Sequence, residues 1–219
     1  MRWHPVLHPA GLLLALPGQA QSVLEEASRL LDRMAEANAR IADLRCEFHA
    51  SVLKGSRAFP PQRAILRYRA RPETVHLTFL EPCRGRVVRY GRDLDGGKLR
   101  VRPEGLLHFT TLSLDPLGAR AMAETLDPIT VQGFPNIVAA ARQLLETARR
   151  TGSPAVSLEA LPGSLRLAFR SATDELTLEV DPATFLPGRV TRRRGGDSAR
   201  YRYERIEVNP GLAESDFDL

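Results

Sequence analysis

Two cysteines and five histidines are scattered through this 219-residue chain. Cys46 and Cys83 are not accompanied by clustered histidines, so the spacing offers no zinc site. Aromatic residues make up only 6%, little material for a base-stacking platform. Lysine occurs only at Lys54 and Lys98. The formal charge of +5 is therefore almost entirely arginine, a skew that genome base composition also produces, and it is no argument by itself for phosphate binding. No apolar run approaches the roughly 18–20 residues of a membrane span. There is no G-x-S-x-G, no H-E-x-x-H and no phosphate loop. The chain is accordingly read as non-enzymatic, with no catalytic residue, no metal and no cofactor assigned.

The N-terminus has content of a different kind. Arg2 is followed by the short apolar run Ala10–Leu16, then Pro17, then small residues at Gly18 and Ala20. This is the layout of an export signal. Residues 1–20 are expected to be a signal peptide, and 21–219 a single exported domain, with the periplasm as destination. In an oxidising compartment Cys46 and Cys83 could pair. Their expected positions at opposite ends of a meander argue against it.

The stretch Ser22–Leu44 repeats apolar residues at helical spacing, with Ser22 as N-cap. From Leu44 the period changes from 3.6 to 2. Cys46, Phe48, Ala50 and Val52 alternate with Arg45, Glu47, His49 and Ser51. Further alternating runs over 63–70, 75–79, 86–90 and 98–102 predict an antiparallel meander. A middle section follows in which two Leu-Asp-Pro triplets, at Asp115 and Asp127, read as N-caps of short helices. A second helix is expected over Pro135–Gly152, and about five more strands close the chain. The tail from Asn209 reads as a capping segment.

The pattern is α+β: one large antiparallel sheet with helices on one face. A sheet of that size curls, and two or three helices do not readily fill its concave side. Arg63, Arg67, Arg69, Arg86, Arg89, Arg100 and Arg102 fall mostly opposite the apolar face. A solvated outer face is the reading that alternation favours. An anionic membrane surface is the remaining partner for such a face, and exported location argues against nucleic acid. His49 and His76 are placed on the same wet side.

Several segments resemble a known family: "DLRCEF" around Cys46, "RARPETVHLTFLEPCRGRVVRY", "GGKL", "LDPLG" followed by "DPITVQGF", and the helix after it. They are similar to uncharacterised exported bacterial proteins related to LolA, the periplasmic lipoprotein carrier. The ending "YRYERIEVNPGLAESDFD" resembles the close of that superfamily. Val87 departs from the pattern, which has a glutamate there. The resemblance implies a half-open barrel of about eleven strands, with helices covering the concave face over a hydrophobic cavity. It implies a lipid, or the acyl chain of a lipoprotein, as ligand, within the cell envelope. The expected cavity wall is Phe48, Val52, Leu66, Tyr68, Leu77, Phe79, Val88, Tyr90, Leu99 and Val101, closed by Leu165, Leu167, Phe169, Leu176 and Leu178. Tyr68 and Tyr90 would orient a headgroup. The rival expectation is an envelope interaction module that docks a protein partner and has a filled core. Cavity volume separates the two.

Overall fold

The computed structural model describes residues 17–105 and 109–219. The predicted signal lies outside the described residues except for 17–20, which open the first helix. His108 also lies outside them.

Helix α1 (Pro17–Ala39) buries Ala27, Leu30, Leu31 and Met34, one stripe at i, i+3, i+4 and i+7. It starts ahead of the expected cap, and Ser22 instead donates its hydroxyl to Glu26 at 3.4 Å on the helix surface. It also stops before Leu44, which belongs to the first strand. Asn209 fastens the turn that follows. Its Oδ1 accepts from the amide of Ala42 at 2.7 Å, and its Nδ2 donates to the carbonyl of Arg40 at 3.0 Å. Backbone groups of the turn between α1 and β1 are thus satisfied from the far end of the chain.

The strands are β1 (Asp43–Lys54), β2 (Arg57–Ala58), β3 (Gln62–Ala70), β4 (Glu73–Glu81), β5 (Val87–Gly91), β6 (Leu99–Arg102) and β7 (Leu112–Leu114), then β8 (Ala155–Leu161), β9 (Ser164–Arg170), β10 (Asp174–Val180), β11 (Pro187–Arg194) and β12 (Asp197–Val208). All pair antiparallel in the order β7-β6-β5-β4-β3-β1-β12-β11-β10-β9-β8, with two-residue β2 added to β1. Two meanders therefore meet at the β1–β12 seam, and β7 and β8 are unjoined edges. The result is the expected half-open sheet. Pro162 and Gly163 form the two-residue turn between β8 and β9, where Gly163 takes φ 77° at no steric cost.

Helix α2 (Phe134–Thr151) matches its expected span, and Gly152 ends it at φ 73° with its amide on the carbonyl of Ala148. Ile137, Val138, Ala141 and Leu145 are buried with the α1 stripe against Leu44, Leu66, Leu167 and Leu178 of the sheet. Burying each such side chain stabilises by about 1.5–3 kcal/mol. The outer face is not uniformly wet. The tail folds back over β3–β5: Phe217 is 1% exposed, and Arg69 lies 4.6 Å from its ring centroid. His76, expected in solvent, is only 3% exposed beneath this tail. Arg63, Arg67, Arg69 and Arg89 are paired with Glu81, Asp216, Glu214 and Asp95. Cys46 is buried and Cys83 partly so, and both are free thiols. Burial pushes the Cys46 thiol up to about 12, which keeps it protonated and inert.

Candidate functional site

The helices cover only part of the concave face. They pack on β8 and on the core shared with β1 and β12, while the connection after β7, from Pro116 to Gln132, faces the arm from β4 to β7. Beneath this connection is a cavity of about 530 Å³, within the range of small-ligand sites. Its floor is the buried set Phe48, Leu77, Leu99 and Tyr201, with Phe79 beside them, and buried Ile129 closes it from the connection. Val88, Val101, Leu112 and Leu114 continue the apolar wall. Arg120, Ala123 and Glu124 line the cavity and are exposed, so it reaches solvent along this part of the connection.

Six of the residues expected in the wall therefore border this cavity: Phe48, Leu77, Phe79, Val88, Leu99 and Val101. The others are placed elsewhere. Leu66, Leu167 and Leu178 are almost wholly buried in the packed core, as is Val52 at the end of β1. Leu165 and Tyr90 pack against that core from its margin. Phe169 and Leu176 border a second, smaller cavity of about 300 Å³ beside Leu144 and Thr147 of α2. Tyr68 is buried against Gly133, where an added Cβ would sit 3.2 Å from the tyrosine ring.

The polar part of the wall comes from residues that sequence alternation did not select. Alternation sets Arg86 with the outer arginines, and the structure differs. Arg86 shares strand parity with Val88 and borders the cavity, its guanidinium 5.9 Å from the Phe79 ring centroid. Its Nε and Nη2 donate to both carboxylate oxygens of Glu104, at 2.9 and 3.0 Å, and Glu124 lies 3.9 Å from Nη1. Those hydrogen bonds hold the Glu104 carboxyl down to about 2 and push the Arg86 guanidinium up. The pair is thus locked as ions.

Asp115 and Asp127 also differ from expectation. Asp115 accepts from the amide of Leu117 at 3.0 Å in a turn, and no helix follows. Asp127 caps nothing with its side chain. It lies 3.6 Å from Arg192 and 3.9 Å from Arg194, while its amide donates to the Tyr201 hydroxyl at 3.3 Å. Lys54 donates to the carbonyl of Met122 at 2.8 Å. These contacts tie the connection to β1, β11 and β12. Each partner is far away in sequence, which is why local pattern suggested caps instead. The Tyr201 and Tyr203 phenols are pushed up by burial, so both stay neutral hydrogen-bonding groups.

A model of the family described as "Protein of unknown function (DUF1571)" matches residues 42–163. No curated protein matches the chain. Among solved structures, MucB aligns with 89% of this chain and 63% of its own, at 17% identity and TM-score 0.53. The Mycobacterium tuberculosis lipoprotein LppX aligns with 90% of this chain and 99% of its own, at 11% identity and TM-score 0.50. A LolA superfamily protein from Nitrosomonas europaea covers 88% of this chain and 97% of its own, at 13% identity and TM-score 0.47. The likeness to MucB and LppX is one of fold.

Proposed function

From a chain that belongs to the DUF1571 family and has a LolA-like fold, we propose an exported, non-enzymatic carrier that shelters an apolar ligand in the cell envelope. The ligand class is a lipid or the acyl chain of a lipoprotein. The observation that carries this reading is the cavity of about 530 Å³ walled by Leu77, Phe79, Val88, Leu99 and Val101. A module serving only as a docking surface has no need of such a space, because unfilled apolar volume costs stability. Each methylene moved from water into it contributes about 0.8 kcal/mol. The exposed lining at Arg120 and Glu124 supplies an opening through which a chain enters and a polar headgroup stays wet. Location in the envelope rests on the signal read at residues 1–20.

The test is native mass spectrometry of protein purified from its own envelope, followed by organic extraction and lipid analysis. A stoichiometric bound lipid is expected. A clean apo mass, with no uptake of a fluorescent fatty acid, would sink the carrier reading and leave the interaction module.

A further inference from the structure

The β1–β12 seam carries a second constellation on the opposite face of the sheet. Along most of the seam the register is regular, and it breaks once, between Arg45 and Glu47. Arg45 pairs with Glu207, so an unbroken ladder would set Glu47 opposite Arg205, an attractive pair. The ladder instead carries an extra residue on β12, and Glu47 stands opposite Glu204. Arg205 takes φ 52° in doing so, a conformation that costs a non-glycine residue. The bulge thus sets two carboxylates directly across the strands, while Arg205 still pairs with Glu47 and Arg202 with Glu204 from the side.

What lies between them is His49. Its Nε2 is 3.3 Å from Glu204 Oε2 and 3.7 Å from Glu47 Oε2. That nitrogen is buried and makes no hydrogen bond. The three donor atoms lie within 4.8 Å of one another. A tetrahedral metal with bonds of about 2.0–2.1 Å holds its ligands about 3.3 Å apart, so the two imidazole–carboxylate spacings need little adjustment. The outer oxygens are already engaged. Arg205 donates to Glu47 Oε1, and Arg202 forms an ion pair with Glu204, Nε to Oε1 3.0 Å. Both carboxylates are thereby oriented with Oε2 turned towards the imidazole, the task that outer-shell partners perform in metal sites.

We propose that Glu47, His49 and Glu204 bind a divalent cation of the zinc class, one imidazole and two carboxylates closing on it across the central seam. An imidazole with two carboxylates suits a borderline ion over magnesium or calcium, which take oxygen ligands alone. Binding uses the Nε2 lone pair of the neutral imidazole. The site faces away from the cavity, because Phe48 between the two β1 ligands points to the cavity floor. Its effect is to tie β1 to β12 and to offset the Glu47–Glu204 repulsion. Linear spacing did not reveal it, since Glu204 comes from the last strand and only the bulge brings it opposite Glu47.

The test uses the untagged full chain, stripped with a chelator and titrated with zinc chloride by calorimetry. Zinc retained after gel filtration and the thermal midpoint are read in parallel. The wild type should retain one equivalent more than His49→Gln, and its midpoint alone should rise with zinc. Glu204→Gln should weaken binding by at least about tenfold, and magnesium chloride should have no effect. Circular dichroism of the metal-free forms verifies folding, and Glu204→Gln carries the test if His49→Gln does not fold. X-ray absorption should report a nitrogen and oxygen shell without sulfur. Equal zinc retention by wild type and both folded variants, or no retention at all, overturns the proposal.

Discussion

Arg86 and Glu104 form a two-point hydrogen-bonded ion pair in the wall of the cavity, at 2.9 and 3.0 Å. Arg86 reaches from the start of β5 to the outgoing end of β6 and also approaches Glu124 on the covering connection. It is thus the charged link between the sheet and the segment that closes over the apolar wall.

Replacing Arg86 by methionine should leave Glu104 without its donors. The wild-type carboxyl is held down to about 2 by those hydrogen bonds. A depressed carboxylate stabilises the fold above its unfolded value, and that stabilisation is lost as pH falls towards 2. In the variant, carbon-detected NMR should find Glu104 titrating in the ordinary carboxylate range. Both partners are partly exposed, so the loss of stability should be modest, about 1 kcal/mol.

His76 should make the protein acid-sensitive in a higher window. Its Nε2 donates to the carbonyl of Asp218 at 2.9 Å, and its Nδ1 faces Arg67 Nη1 at 3.5 Å. Burial pushes the imidazole down to about 4, against the upward pull of the Asp218 hydrogen bond and with Arg67, Arg89 and Arg102 adding to the fall. The unfolded chain takes up this proton near 6.5, and the folded chain resists until about 4. Stability is therefore complete above about 6.5 and declines as pH falls to 4. Thermal unfolding from pH 7 to pH 4 should show the decline, and His76→Gln should flatten it. An unchanged slope in a folded variant would show that the tail is not held by a neutral imidazole.

Asn209→Ala should cost about 2 kcal/mol, the sum of three lost hydrogen bonds, one of them long, to backbone after the end of α1. Asn209 also sits at φ 54°, which asparagine tolerates better than alanine. Asn209→Gly keeps the conformation and loses only the hydrogen bonds, so urea denaturation of the two variants separates the contributions.

The elements that alternation and helical period define were legible: β1 with its buried Cys46, Phe48, Ala50 and Val52, and α2 ending at Gly152. What escaped was set by partners distant in the chain. His76 has the parity of an outer residue, but the tail that buries it arrives from the other terminus. Asp127 has the local context of a cap, yet Arg192 and Arg194 take its carboxylate. Arg86 precedes its strand, where parity is least informative, and so alternation sets it with the wrong face. Leu112 and Leu114 sit on a three-residue strand and Ile129 on the connection, stretches too short for a local period, and Tyr201 meets the cavity from β12, where it stacks on Phe48. Core and cavity wall share one composition, so Leu66 and Leu77 look alike in sequence although only Leu77 borders the space.

That last ambiguity gives the most discriminating substitution. Val88 and Val101 are cross-strand partners on β5 and β6, both half-buried and both lining the cavity. Changing both to glutamate places two carboxylates in the wall, where partial exposure keeps them solvated and the fold tolerates them. Leu167→Ala makes the opposite intervention: it removes a fully buried side chain away from the cavity and should cost about 2–5 kcal/mol. If the cavity binds an apolar chain, the valine pair should lose uptake of a fluorescent fatty acid at near-wild-type stability. Leu167→Ala should lose stability and keep uptake per folded molecule. The reverse pattern would move the ligand to the space beneath the helices, and equal uptake in all three proteins would remove the cavity from the binding reaction.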